Sequence, residues 1–209
     1  MILRKGRIMV QTLEIFYSFQ CPYSYLAFDR LSQIENNFDI KVLWQPFSTR
    51  NGGKGFQSSP WPPDRTSYIR EDIVRLGEEN NIPITLTEEW PENEYDPEKS
   101  MRGALVAYDL GLGLEYNVKM FQRWWEENLD PNEQKFFIEL CDDLDIDPNE
   151  FSGRLNSSDT RERVKGTYKR ARKLGIFDTP TILLDEERFV GIDRIPNVEA
   201  RLKKLGLAK

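Results

Sequence analysis

The chain has no histidine and only two cysteines, Cys21 and Cys141, in 209 residues. Without an imidazole, Ser-His-Asp and Cys-His activation of a nucleophile are excluded. Two thiols with no histidine are also too few for an ordinary zinc site. Long apolar runs are missing as well. No stretch suits a membrane span, and the start, MILRKGRIMVQTLEIF, lacks the apolar core of roughly 7–15 residues that a secretory signal needs. The expected location is therefore the cytoplasm, where thiols stay reduced and a structural disulfide is not expected. Nor is there an excess of positive charge. A net charge of −6 speaks against nucleic acid or a membrane surface as partner. What remains is a globular composition with 39% hydrophobic and 31% charged residues, enough for one core or one domain carrying an insertion.

The most informative stretch is Leu13 to Leu31, LEIFYSFQCPYSYLAFDRL. Leu13, Ile15 and Tyr17 alternate with Glu14, Phe16 and Ser18, which predicts a central strand with apolar residues on both faces. Pro22 suits the first turn of a helix, where its missing N–H would have no partner. Tyr25, Phe28, Leu31 and Ile34 then form an apolar stripe at helical spacing. Cys21 falls at the junction, beside unpaired N–H groups and the positive end of the helix dipole, both of which favour a thiolate. The alternative is a small buried hydrophobe, the reading that fits Cys141 among Phe137, Ile138 and Leu140.

Asp39 to Phe47 predicts a second strand with Ile40, Val42 and Trp44 on one face, and a parallel crossover joins it to the first. Thr49 to Pro63 is a long Gly/Pro/Ser-rich loop. Helical patterns follow: Asp64–Asn80 with Tyr68, Ile69, Ile73 and Leu76 in register, Glu98–Leu110, Glu115–Leu129, Asn132–Leu144, and a short helix from Asp147-Pro148 to Leu155. Ser158 or Asp159 caps a long helix to Leu174, closed by Gly175. Thr179-Pro180-Thr181 leads into a hairpin, Ile182–Leu184 and Arg188–Val190, and Ile195–Leu205 is a last amphipathic helix. The expected class is α/β, a thioredoxin-like order with an all-helical insertion. Residues 10–63 and 157–209 would form the main domain, and residues 64–156 the insertion.

Other motifs are set aside. Asn51–Gly55 lacks the Gly-Lys-Ser/Thr ending of a phosphate loop. Asp143, Asp145 and Asp147 have the spacing of a calcium loop, but Pro148 and Arg154 occupy its glycine and glutamate positions, so no metal is expected. Trp124-Trp125 and Phe136-Phe137 suit a core or a dimer contact.

Phe16–Leu26, FYSFQCPYSYL, resembles the strand, S/C-P-Y-S-Y/W-L loop and helix of the thioredoxin-like group. That group comprises disulfide oxidoreductases of the DsbA type, kappa-class glutathione transferases and 2-hydroxychromene-2-carboxylate isomerases. Leu174–Thr181, LGIFDTPT, resembles its G-[IV]-x-x-[VT]-P-T segment, where the proline is cis. Phe189–Arg194, FVGIDR, resembles the F-x-G-x-D-R stretch of the transferase and isomerase branch. Two departures stand out: Cys21 replaces the serine usual in transferases and isomerases, and Ser24 replaces the second cysteine usual in oxidoreductases.

The resemblance implies a catalytic pair, Cys21 and Ser24, with Pro22, Tyr23, Thr179, Pro180, Asp193 and Arg194 holding glutathione or a similar small thiol. Asp193 and Arg194 would bind the γ-glutamyl amine and carboxylate; the plain alternative is a helix cap and a surface charge. Three functions stand at this point. The first is a thiol-disulfide oxidoreductase with a monothiol Cys-Pro-Tyr-Ser site, in which Cys21 forms a mixed disulfide that an external thiol resolves, because a serine hydroxyl is no reductant. The second is a glutathione-dependent isomerase or transferase acting on a small molecule. The third is a binding protein without turnover. A homodimer is what the transferase branch suggests.

Overall fold

The structure is a computed structural model, and it describes residues 3–4, 7–8, 10–49, 62–87, 90 and 96–209. Two short strands, β1 (Leu3–Arg4) and β2 (Arg7–Ile8), pair with each other. The main sheet is formed by β3 (Gln11–Tyr17), β4 (Ile40–Pro46), β5 (Thr181–Leu184) and β6 (Glu187–Val190). Its order is β4-β3-β5-β6, with β4 parallel to β3, and β5 antiparallel to both β3 and β6. The class is α/β, as the order of patterns implies.

The helices are α1 (Pro22–Ser32), α2 (Ile34–Asn37), α3 (Pro63–Asn80), α4 (Pro97–Asp109), α5 (Gly113–Phe121), α6 (Gln134–Asp143), α7 (Pro148–Leu155), α8 (Ser158–Lys173) and α9 (Ile195–Lys204). Their starts follow from local chemistry. Pro97 and Pro148 sit where an N–H is dispensable, and Asp96 and Asp147 accept the N–H groups of Glu98 (2.9 Å) and Glu150 (2.7 Å). The cap of α8 is Ser157, not Ser158 or Asp159: its hydroxyl accepts the Thr160 N–H at 3.2 Å.

Two other expectations are corrected. The predicted helix Glu115–Leu129 changes form at Gln122–Glu126, where one turn is a π-helix. Tyr68, placed in an inward stripe, is 58% exposed, while Ile69 and Ile73 of the same helix are buried. The long Gly/Pro/Ser-rich loop falls almost entirely outside the described residues.

β3 must be covered on both faces, since side chains alternate along a strand and Leu13, Ile15, Phe16 and Tyr17 are all at most 1% exposed. One face carries Leu13, Ile15 and Tyr17 into a cluster with Leu31 of α1, Val198 and Leu202 of α9, and Met120, Phe121 and Trp125 of the helical segment. The other face sends Phe16 against Phe47, Val164, Tyr168 and Ala171, under α8. The helices between β4 and α8 therefore share a core with the sheet. A buried polar link adds direction to this packing: the Tyr17 hydroxyl donates to Asn117 Oδ1 (2.8 Å), and Asn117 Nδ2 donates to the Tyr108 hydroxyl (2.9 Å).

Candidate active site

The chain leaves β3 through Ser18–Gln20 and enters α1 with Cys21 as its N-terminal cap residue, in extended conformation at φ −94° and ψ 114°. The turn is closed locally. The Cys21 N–H donates to Ser18 O (3.1 Å), and the Ser18 N–H donates to Ser24 Oγ (3.2 Å). Cys21 is half-buried and Ser24 buried. Both cysteines are free thiols, and Cys141 is 2% exposed within the helical segment, where burial raises its pKa to about 11.

Cys21 Sγ donates to the carbonyl oxygen of Thr179 at 3.0 Å. The Thr179–Pro180 bond is cis, and Pro180 O accepts the Gly191 N–H at 2.9 Å, which ties this loop to the end of β6. Of the sequence positions, Cys21 thus meets Thr179 directly, and Pro180 is brought alongside only through its cis bond to Thr179. Glycine suits position 191 because its φ of 99° is one that L side chains rarely adopt, and a Cβ there would also come within 2.7 Å of Asp193 Oδ1. Arg194 is less closely engaged: its side chain is 55% exposed, it meets Asp193 at 3.5 Å, and it is absent from the cavity wall described next.

A cavity of about 1060 Å³ opens beside this junction, at the upper end of small-molecule sites. Its wall includes Tyr23 and Tyr25 of α1, Tyr68 of α3, Phe121 of α5, Thr179, and Asp193. Two tyrosines of α1 brace it. Tyr23 donates to Asp72 of α3 (2.8 Å), while Tyr25 donates to Pro83 O (2.6 Å) and reaches Glu126 of the π-turn (3.1 Å). Burial and these carboxylates push both phenols well above their usual range, so they stay protonated donors.

The expected thiolate is not what the resting site favours. Burial raises the Cys21 pKa, and the nearby Asp178 carboxylate adds to the rise. Hydrogen bonds involving Thr179 and Ser24 only partly oppose it. Being half-buried against a carbonyl acceptor outweighs the helix start, and the thiol is protonated at neutral pH. Asp178 is a residue that the motif pattern leaves unmarked. The available signal was a carboxylate directly before Thr179-Pro180 in a chain without histidine.

Among the described residues no group of His, Cys, Asp or Glu is arranged to hold a metal, and no helix is long and apolar enough to cross a membrane.

The family model of the DSBA-like thioredoxin domain matches residues 12–203. A 2-hydroxychromene-2-carboxylate isomerase of Pseudomonas putida is 22% identical, over 92% of this chain and 95% of its own length. The solved structure of a 2-hydroxychromene-2-carboxylate isomerase superposes with a TM-score of 0.79 at 22% identity, covering 93% of this chain and 95% of that one. The cytosolic disulfide reductase DsbM from Pseudomonas aeruginosa, solved with GSH, gives 0.65 at 17% identity, covering 93% and 98%.

Proposed function

The chain belongs to the DSBA-like thioredoxin domain family, and we propose that within it this protein is a cytoplasmic, glutathione-dependent enzyme of the isomerase or transferase type, acting on a small electrophilic molecule. The observation that carries this reading is the Cys21 Sγ–H held as a hydrogen-bond donor at Thr179, 3.0 Å away, beside a cavity large enough for a tripeptide and a second small molecule. A relay lies behind that donor. The Ser18 N–H donates to Ser24 Oγ, whose own hydroxyl faces the Cys21 sulfur. With glutathione bound, the Cys21 S–H would turn from Thr179 O to the glutathione sulfur and stabilise its thiolate, as donors stabilise an oxyanion. Pro22, Tyr23, Thr179 and Pro180 would flank the tripeptide, with Asp193 on its amine and Arg194, whose exposed side chain would have to turn in from outside the wall, on its carboxylate. The organic substrate would lie against the aromatic wall formed by Tyr25, Tyr68 and Phe121.

A second reading, monothiol disulfide exchange, is favoured by Cys21 being a free thiol at the cap of α1 with Ser24 one turn on. There a Cys21 thiolate displaces one sulfur of a disulfide, and a second small thiol must resolve the mixed disulfide.

Calorimetric titration with reduced glutathione, together with intact mass after exposure to oxidised glutathione, tests the proposal. Saturable one-to-one binding with a slow, minor mixed disulfide is expected. Absence of binding, with rapid and complete glutathione addition at Cys21, would replace the first reading by the second.

A further inference from the structure

We propose that Asp178 is the proton acceptor of this site, the carboxylate that takes the proton from the reacting thiol. The proposal builds on the glutathione reading above. A thiol must lose its proton to react, and this chain has no imidazole to receive it. Asp178 lines the same cavity as Tyr23, Thr179 and Asp193. Its Oδ1 is fixed by the Thr179 N–H at 2.8 Å, on the residue whose carbonyl receives the Cys21 S–H. Its Oδ2 makes no hydrogen bond among the described residues, and Asp178 is exposed to the cavity mouth.

Among the described residues, several charged and titratable groups face it or share its cavity, Asp29, Arg30 and Glu126 among them. Arg65 of α3 lies near enough to favour the carboxylate, Cys21 faces it from the start of α1, and Tyr23, Tyr68, Asp72 and Asp193 share its cavity. Surrounding protein nonetheless raises its pKa, which makes it a better base than an ordinary aspartate.

In the forward step, the glutathione S–H proton passes to Asp178 Oδ2 as the sulfur forms a bond to an electrophilic carbon. The electron pair of that carbon's double bond moves to the adjacent atom. Asp178 then returns the proton to that atom and is a carboxylate again. No oxidant or reductant is consumed.

Asp178→Asn separates this role from a structural one, because its amide oxygen can still accept the Thr179 N–H. In a Cys141→Ser background, iodoacetamide alkylation of Cys21 is followed against pH. Removal of the carboxylate is expected to lower the midpoint and speed alkylation at neutral pH by about threefold or more. An unchanged midpoint would overturn the proposal, since the carboxylate would then not act on the sulfur position.

Glutathione conjugation to 1-chloro-2,4-dinitrobenzene supplies the second arm: there the sulfur displaces chloride from the ring carbon, and Asp178 passes its proton on to water. Asp178→Asn should lose about tenfold or more of the rate near pH 6.5, with the gap closing as the pH nears that of free thiol ionisation, about 8.5. Asp178→Glu should recover part of the loss. A loss equal at every pH would overturn the proposal as a structural defect. A shifted alkylation midpoint in a protein that neither binds glutathione nor conjugates it would instead sink the glutathione reading, and would leave Asp178 as acceptor for the Cys21 proton itself.

Discussion

The indole N–H of Trp125 donates to the carbonyl oxygen of Phe19 across 2.9 Å, joining the π-turn of the helical segment to the loop that delivers Cys21. Trp125 is 1% exposed and stacks on Tyr25 at 6.2 Å, so one side chain supports both the thiol loop and the cavity wall. The helical segment thereby positions the site as well as enclosing it.

Trp125→Phe keeps an aromatic ring but leaves a buried carbonyl without its donor. The expected cost is about 1–3 kcal/mol. Urea unfolding should show a lower midpoint at unchanged slope, and Cys21 in the folded protein should alkylate faster as its loop loosens.

Gly191→Ala places a methyl group where Asp193 Oδ1 lies 2.7 Å from the ideal Cβ position, at a φ of 99° that L-residues rarely adopt. A stability loss of about 1–3 kcal/mol is expected from the backbone alone. Because Asp193 must move, glutathione titrated calorimetrically should bind more weakly than to a variant with equal destabilisation elsewhere, such as Phe16→Leu in the cluster under α8.

The thiol of Cys21 has a pKa raised in the folded chain by burial and by Asp178. The folded state therefore holds this proton more tightly than the unfolded state. The corresponding stability is complete below the unfolded thiol value, about 8.5, and is lost as pH rises through the folded value. Denaturation midpoints measured across alkaline pH should fall with a steeper early limb in the wild type than in Cys21→Ser. Equal limbs would show that Cys21 titrates as it does in a free peptide.

Much of the architecture was legible in local pattern. β3 has apolar residues on both faces, Pro22 and Pro148 sit at helix starts, and the turn at Asp185-Glu186 joins β5 to β6. Non-local effects were not legible. The π-turn at Gln122–Glu126 keeps the apolar residues of an ordinary helix, and nothing in its periodicity marks the change. Tyr68 satisfies the inward spacing of α3 yet faces a cavity, because a phenol fits a wall as well as a core. The meeting of Cys21 with Thr179 required the motif resemblance, since 158 positions separate them. The protonation of Cys21 was misjudged for the same reason: helix position is local, whereas burial and Asp178 come from the far end of the chain.

The most direct measurement is glutathione-dependent conversion of 1-chloro-2,4-dinitrobenzene by the wild type and by Cys21→Ser, at the same pH and with glutathione saturating. If Cys21 serves as a hydrogen-bond donor to the glutathione sulfur, a serine hydroxyl replaces it, and the variant keeps its rate within about tenfold. Loss of all turnover in Cys21→Ser, alongside rapid glutathione-coupled disulfide reduction by the wild type, would contradict the account and make Cys21 the nucleophile.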